Sequence, residues 1–286
     1  MTPGTSPNAE AIELWNDVLG ARFERFRHIF VPAGDAHSRG PLERAGLAPG
    51  MRALDVGCGF GETTLQIARL VAPGGSVFGT DGAAPFLAVA RADAEAAGIT
   101  NATFVEADAQ SAHFEPAFDL AFARFGTMFF ADPVAGMRNI GTALAPGGRL
   151  LMVVWRPLAD NEWMSFAEAV VRTHLAVERA PDEGPGPFSM ADPEVVTAVL
   201  ESAGYADVSF ARTDASVCVG ATVDDAISFQ LSLGPASSLL LDAGDEGRLR
   251  RPAIKADLRQ TIERYARPDG VWMDTSSWAV SARRAA

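Results

Sequence analysis

Only two cysteines occur in 286 residues, Cys58 and Cys218, and their placement suits neither a disulfide framework nor a metal site. No stretch is apolar for long enough to span a bilayer as a helix. The opening MTPGTSPNAEAIELW has no basic segment followed by an apolar core, so no secretory signal is expected. Basic residues are scarce: 24 Lys and Arg stand against 36 Asp and Glu, a net charge of −12. That balance argues against a nucleic-acid partner, whose binders usually show a basic footprint. There are only four histidines, and no acidic cluster reads as a magnesium site, so no metal is expected. Internal repeats and low-complexity tracts are absent as well. These features describe a reduced-compartment protein, expected in the cytoplasm, without a membrane span and compatible with a homodimer.

What is present is a large apolar fraction, 48 %, arranged as alternating strands and helices. Residues 9–30 predict one amphipathic helix, with Ile12, Trp15, Leu19, Phe23, Phe26 and Phe30 on a broad face. Residues 32–49, broken by Pro and Gly, predict a connection and a short helix. Strands are then predicted over 52–56, 76–81, 102–106, 118–123 and 149–155. Helices over 62–71, 84–97 and 132–145 lie between them. Further strands are predicted over 208–219 and 271–281, with a capped helix at 192–204. Strand–helix repetition of this kind builds a parallel, doubly wound α/β sheet with right-handed crossovers. Two segments fall outside a plain sheet: residues 160–189, and residues 222–267, which contain two helix-like stretches.

The loop after the first strand reads DVGCGFG. Gly57, Gly59 and Gly61 allow a ligand to approach backbone closely, and the helix that follows offers free N–H groups. Nicotinamide enzymes use G-x-G-x-x-G at this place, whereas the spacing here is G-x-G-x-G. Asp55 lies two residues before Gly57. A pyrophosphate would sit badly beside that carboxylate, and a ligand with an amino group and a positive sulfur would not. Asp81 ends the second strand, where an acid can accept two hydrogen bonds from a ribose diol. Asp108 follows the third strand and could accept from an adenine amine; a helix cap is its other reading.

The ordered series LDVGCGFG, GTD, EADA, FDLAFARF and LAPGGRLLMVVW resembles the class I S-adenosylmethionine-dependent methyltransferases. The ubiquinone/menaquinone-type small-molecule branch is the nearest likeness, strong over residues 50–155 and weak elsewhere. The resemblance implies a Rossmann-like seven-stranded sheet, mostly parallel with its last strand antiparallel, carrying helical cap additions. It implies S-adenosylmethionine as cofactor and S-adenosylhomocysteine as product. Asp55 would orient the methionine amino group, and Gly57, Gly59 and Gly61 would meet the methionine moiety. Asp81 would bind the ribose, Phe86 would pack on adenine, and Asp108 with the Ala109 amide would contact its amine. Arg124 lies where backbone approaches the methionine end, although its side chain suits a structural or substrate-side role. One methyltransferase domain is expected over 1–286. Its parts are a helical cap at 1–40, a core at 41–221 and 268–286 with a lid insertion at 156–190, and a cap insertion at 222–267.

For the acceptor, the base-methylating Pro-Pro-aromatic motif is missing after the fourth strand. Aromatic and thioether side chains gather there instead. Trp15, Phe125, Met128, Phe129, Trp155, Trp163, Phe188 and Met190 are candidates for an acceptor pocket, although at least half of such residues are expected to be ordinary core. The loop 184–192, rich in Gly and Pro, could close over it. Methyl transfer from a sulfonium needs alignment and a dry site more than acid–base machinery. Candidate bases are Glu162, His174 and His28, none in a decisive position. The reading is therefore methyl transfer to a small, largely apolar or aromatic acceptor by in-line displacement, the accepting atom undecided. Quinone-precursor C-methylation and a non-catalytic S-adenosylmethionine-binding module are the alternatives carried forward.

Overall fold

The computed structural model describes residues 8–115, 117–176 and 184–285. Three helices, α1 (Ala9–Asn16), α2 (Val18–Arg25) and α3 (Arg27–Arg44), lead into β1 (Arg52–Val56), α4 (Glu62–Val71), β2 (Ser76–Asp81), α5 (Ala84–Ala96), β3 (Ala102–Glu106), β4 (Phe118–Arg124), α6 (Pro133–Ala143) and β5 (Leu144–Trp155). Then come α7 (Glu162–His174), α8 (Pro193–Ser202), β6 (Tyr205–Gly220), α9 (Val223–Gln230), α10 (Pro235–Asp242), α11 (Gly244–Ile262), β7 (Ala266–Arg267) and β8 (Gly270–Arg284).

The sheet order is β3-β2-β1-β4-β5-β8-β6, with β7 paired to β8. Strands β1 to β5 are parallel, and β8 runs antiparallel to both β5 and β6. The seven expected strands are all present. The two-residue β7 is an eighth, too short to leave a pattern in sequence. Alternation along β1 sends Ala53 into a core with Leu42 of α3 and Ile67 of α4, while Leu54 and Val56 face Met137 and Ile140 of α6. Both faces of the sheet are thus covered, which is why these strands read as continuous apolar runs. Helix α6 starts as expected, with the Asp132 side chain accepting from the Ala135 N–H and Pro133 in the first turn.

The cap departs from the sequence expectations. Residues 9–30 form three helices, not one. Asp17, between α1 and α2, has φ −112° and ψ −105°, outside the helical region. Residues 32–44, expected as connection and short helix, continue α3 through Pro32 and Pro41. A proline inside a helix costs about 3 kcal/mol, but α3 buries Ile29, Ala33, His37, Pro41 and Leu42, and tertiary burial outweighs local propensity. The segment 222–267 holds three helices where two were expected, parted by residues 231–234 and by Ala243.

Candidate functional site

Parallel pairing puts the carboxyl ends of β1 to β5 along one edge of the sheet. Asp81 sits opposite Glu106 at the ends of β2 and β3, and Arg124 opposite Val153 near the ends of β4 and β5. The chain reverses direction across the sheet between β1 and β4, where open α/β sheets bind ligands. A cavity of about 700 Å3 opens there, roofed by α1, α2, α7, α10 and the 184–189 segment. Its volume lies within the usual range for ligand sites, roughly 300–1,000 Å3.

One end of the cavity is built from loop backbone and carboxylates. Gly59 has φ +54°, and a Cβ placed there would meet nothing within 4 Å, so this backbone faces open space. Gly61 has a different role. It caps α4 at φ +83°, and a Cβ would come within 2.7 Å of Ala90 and 3.0 Å of Phe104. It is off the cavity wall and is needed for close packing of the loop on α5 and β3.

Asp81 lies on the wall, with Oδ2 accepting from the Gly59 N–H at 2.8 Å and Oδ1 from the Ala83 N–H at 2.8 Å. Burial pushes its carboxyl up, and the backbone N–H groups of Ala83, Gly59 and Gly82 oppose that. Phe86 is buried on the wall beside Phe60, ring centroids 4.4 Å apart. Asp108 and Ala109 are also on the wall. Asp108 accepts from Asn8 Nδ2 at 2.8 Å and from the Gln110 N–H at 2.9 Å; among the described residues no helix starts between β3 and β4, so the helix-cap reading fails and the carboxylate closes a turn instead.

Asp55 is not on the wall but one layer behind it. Its Oδ2 accepts from the hydroxyls of Thr63 at 2.8 Å and Thr64 at 2.6 Å, while Oδ1 has no partner among the described residues. Full burial pushes its pKa up to about 6, against the Thr64 and Thr63 hydroxyls and the Arg124 charge, which lower it. An orphaned carboxylate oxygen in the interior costs free energy until a donor reaches it. Arg124 reaches Glu62 at 3.5 Å and the Ser38 hydroxyl at 3.3 Å, and packs on Gly34 of α3. It therefore ties the cap to the wall. Cys58 is a buried loop filler whose thiol is pushed up by burial.

The other end is aromatic. Trp15, Phe125, Met128, Phe129, Trp155, Trp163 and Phe188 all line the cavity. Phe125 stacks on Trp155 with centroids 3.8 Å apart, and holds φ +60°, a strained value for an aromatic residue. Met190 is buried but off the wall. The three candidate bases are elsewhere. His28 is exposed and lies 3.3 Å from Asp225, His174 lies 2.7 Å from Asp257 on α11, and Glu162 accepts from the Tyr265 hydroxyl. None of them lines the cavity. Each is drawn to a partner on the cap helices, which a scan for acids and histidines near the fifth strand cannot foresee.

The sequence reading missed polar residues on the wall. Glu168 of α7 is buried there, its Oε1 accepting from Arg172 Nε at 2.8 Å. Gln230 of α9 donates to the Trp163 carbonyl at 2.5 Å. The Trp163 indole N–H has no partner among the described residues. The available signal was an acid and an amide inside otherwise apolar helix faces: Glu168 between Ala167 and Val171, and Gln230 beside Ile227 and Phe229. Asn8, Glu62 and Thr63 are further polar wall residues not foreseen.

A doubly wound sheet with a glycine-walled, carboxylate-flanked cleft at its switch point defines a nucleoside-binding Rossmann-like class. The comparisons narrow it. Residues 53–148 match the family model described as "Methyltransferase domain". A demethylmenaquinone methyltransferase of Thermus thermophilus is 41 % identical over 107 residues, 37 % of this chain and 48 % of the relative. A ubiquinone/menaquinone biosynthesis C-methyltransferase UbiE of Shewanella sp. is 31 % identical over 147 residues, 51 % and 55 % of the two chains. The chain thus spans about half the length of the curated relatives it matches. The YcgJ protein of Bacillus subtilis shares the fold, with a TM-score of 0.57 at 18 % identity over 87 % of this chain and 99 % of its own. Residues 53–148 thus match a methyltransferase domain, and about half of the chain is similar to methyltransferases named for quinone biosynthesis.

The residues present fit an adenosyl sulfonium amino acid. Gly59 leaves room at the loop, Asp81 faces the cleft, and Asp55 has an oxygen in need of a donor. A dinucleotide would bring a pyrophosphate to a wall carrying Asp81, Asp108 and Glu62, with Asp55 behind it and Arg124 already held by Glu62.

Proposed function

We propose that the whole chain transfers a methyl group from S-adenosylmethionine to a small, largely apolar or aromatic acceptor seated in the aromatic half of the cavity. The observation that carries this reading is the continuity of one 700 Å3 space from the Gly59–Asp81 wall to the Phe125–Trp155–Trp163 wall. The cofactor supplies an activated methyl group on a sulfonium centre. Asp81 holds the ribose hydroxyls, Phe86 packs on the adenine, Asp108 and the Ala109 amide face its edge, and Asp55 favours the cationic amino acid end. The stacked Phe125 and Trp155 fix the plane of a ring-shaped acceptor and exclude water. Orientation of this kind can lower a barrier by roughly 7–11 kcal/mol.

Trp163 gives an N–H to an oxygen on the acceptor, and Glu168 takes the proton that a hydroxyl or acidic carbon must lose. Among the described residues no histidine lines the cavity, and Glu168 is the buried carboxylate of its aromatic end. The names of the relatives favour a quinone precursor methylated at carbon, a narrower form of the same reading. No helix of the described residues is long and apolar enough to cross a membrane; a cytoplasmic location is part of the proposal.

Two measurements test it. Asp81→Ala is expected to weaken S-adenosylhomocysteine binding at least tenfold by calorimetry with the circular dichroism spectrum intact; unchanged affinity removes Asp81 from the site. With phenolic and quinol acceptors screened for turnover, Glu168→Gln is expected to lower kcat/KM by about 100-fold or more and to leave cofactor affinity alone. Tight cofactor binding with no transfer to any acceptor would favour a non-catalytic binding module.

A further inference from the structure

The geometry points to a second binding site, for a phosphate-bearing group, in a groove on the other side of α10 from the main cavity. The groove encloses about 240 Å3 between α2, the α9–α10 connection and the start of α11. Four arginines stand around it: Arg22 and Arg25 from α2, Arg248 and Arg251 from α11. This concentration of cations occurs in a chain whose net charge is −12.

The pairing of these arginines decides what the groove can take. Arg248 is engaged by Asp245. The other three make no ion pair among the described residues. Arg22 donates to the Ser232 carbonyl at 3.2 Å, Arg25 to the Ser228 hydroxyl at 3.2 Å, and Arg251 to the Leu231 carbonyl at 3.3 Å. These acceptors are neutral. They fix the guanidinium groups in place and leave their charge uncompensated. A guanidinium has five N–H donors, so each keeps most of its fork for an anion, and fork geometry matches phosphate oxygens.

Phe26 and Leu240 form an apolar floor, and the rim carries the exposed Leu241. An apolar floor weakens water screening of the charge above it and offers a seat for the organic part of a phosphate ester. Asp242, the next acid along, belongs to the wall of the main cavity instead. Helix α10 is shared: Ser237, Leu240 and Leu241 line the groove, while Ala236, Leu239 and Asp242 line the cavity. An anion held in the groove would therefore set the position of one wall of the acceptor chamber. The inference holds whether or not methyl transfer is the reaction.

The test uses the full chain and three probes: inorganic phosphate, glycerol 3-phosphate, and vesicles of phosphatidylglycerol set against vesicles of phosphatidylcholine. Binding is read by calorimetry and by vesicle sedimentation. Saturable binding of glycerol 3-phosphate without vesicle binding assigns a soluble phosphate ester. Binding to phosphatidylglycerol vesicles alone assigns a lipid headgroup, and both together assign the shared chemistry. Arg22→Gln combined with Arg251→Gln is expected to weaken the binding at least tenfold, and the Lys pair at the same positions to restore part of it. Since these arginines also hold carbonyls at the end of α9, Leu241→Glu is the companion variant. It places a negative charge on the rim at an exposed position, and a loss of at least fivefold is expected. The site is overturned if none of the three probes binds, or if Leu241→Glu and the arginine variants that fold bind like the parent protein.

Discussion

At Asp55 and His37 two buried groups titrate in opposite senses, and their opposition is measurable. Asp55 is pushed up to about 6 by burial, so the folded protein holds its proton more tightly than the unfolded chain. Stability from this group is fullest below pH 3.8 and declines as the pH rises toward 6, by about 3 kcal/mol for about two pKa units. His37 is pushed down to about 4, by burial first and by the Arg124 charge second. Its neutral ring lies 2.7 Å from the Thr275 hydroxyl and 2.8 Å from that of Ser277. The folded protein binds this proton less readily than the unfolded chain, so stability is full above pH 6.5 and is lost as the pH falls toward 4. The two slopes oppose each other between pH 4 and 6. Asp55→Asn is expected to remove one of them, making stability fall more steeply on acidification than in the parent protein. Denaturant titrations at pH 4.5, 5.5 and 6.5 read the difference, and parallel profiles would contradict the assignment. The same carboxylate predicts that S-adenosylhomocysteine binds more tightly as the pH rises from 5 to 7, because the ionised form attracts the ligand's amino group. In Asp55→Asn that dependence should flatten.

At the scale of elements, α1 acts as a roof pinned at both ends. Asn8 donates to Asp108 and accepts from the Ala131 N–H, each at 2.8 Å. Asn16 donates to the Gly82 carbonyl at 2.8 Å and accepts from the Ala84 N–H at 3.0 Å. Between these pins Ile12 and Trp15 face the cavity. Asn16→Ala removes three side-chain hydrogen bonds of about 1 kcal/mol each, one to the Ile12 carbonyl within α1 and two to the segment after β2, and leaves the sheet untouched. Dissociation of S-adenosylhomocysteine is expected to quicken about tenfold in stopped flow, with the circular dichroism spectrum intact; an unchanged off-rate would mean that α1 does not gate exit. The helix and its Trp15 face were legible in sequence, but the pins were not, because an asparagine at a helix end signals a cap and not a distant loop. The core elements were legible for the opposite reason. Strands such as β1 and β5 are buried on both faces, and the Asp132–Pro133 and Asp192–Pro193 starts are local signals whose meaning needs no tertiary context. That Gly59, Asp81 and Asp108 meet on one cavity wall was legible with them, since they follow strands whose ends the sheet brings together. Glu168 and Gln230 stayed hidden because their positions depend on how the cap helices fold back over the sheet, and Glu162, His28 and His174 were drawn away by partners on those same helices.

For the whole molecule, charge and shape select the same ligand class. The chain is strongly acidic, and Asp81, Asp108 and Glu62 all stand on the wall of the cavity that carries the glycine loop. A cationic nucleoside is attracted by that field, and a pyrophosphate is repelled both at long range and at the loop. Ligand binding to the folded state alone raises stability by about 2.7 kcal/mol when the ligand is at 100 times its Kd. For a domain of this size each kcal/mol moves the midpoint by about 2–4 °C. Saturating S-adenosylhomocysteine is therefore expected to raise Tm by about 5–10 °C in a fluorescence melt, while NADH at the same concentration leaves it in place. Asp81→Ala, with affinity weakened at least tenfold, should remove about half of the rise or more at that ligand concentration. A shift with NADH that matches or exceeds the one with S-adenosylhomocysteine would mean that the carboxylates beside the glycine loop do not choose the ligand, and the assignment of this cleft to methyl transfer would fall with them.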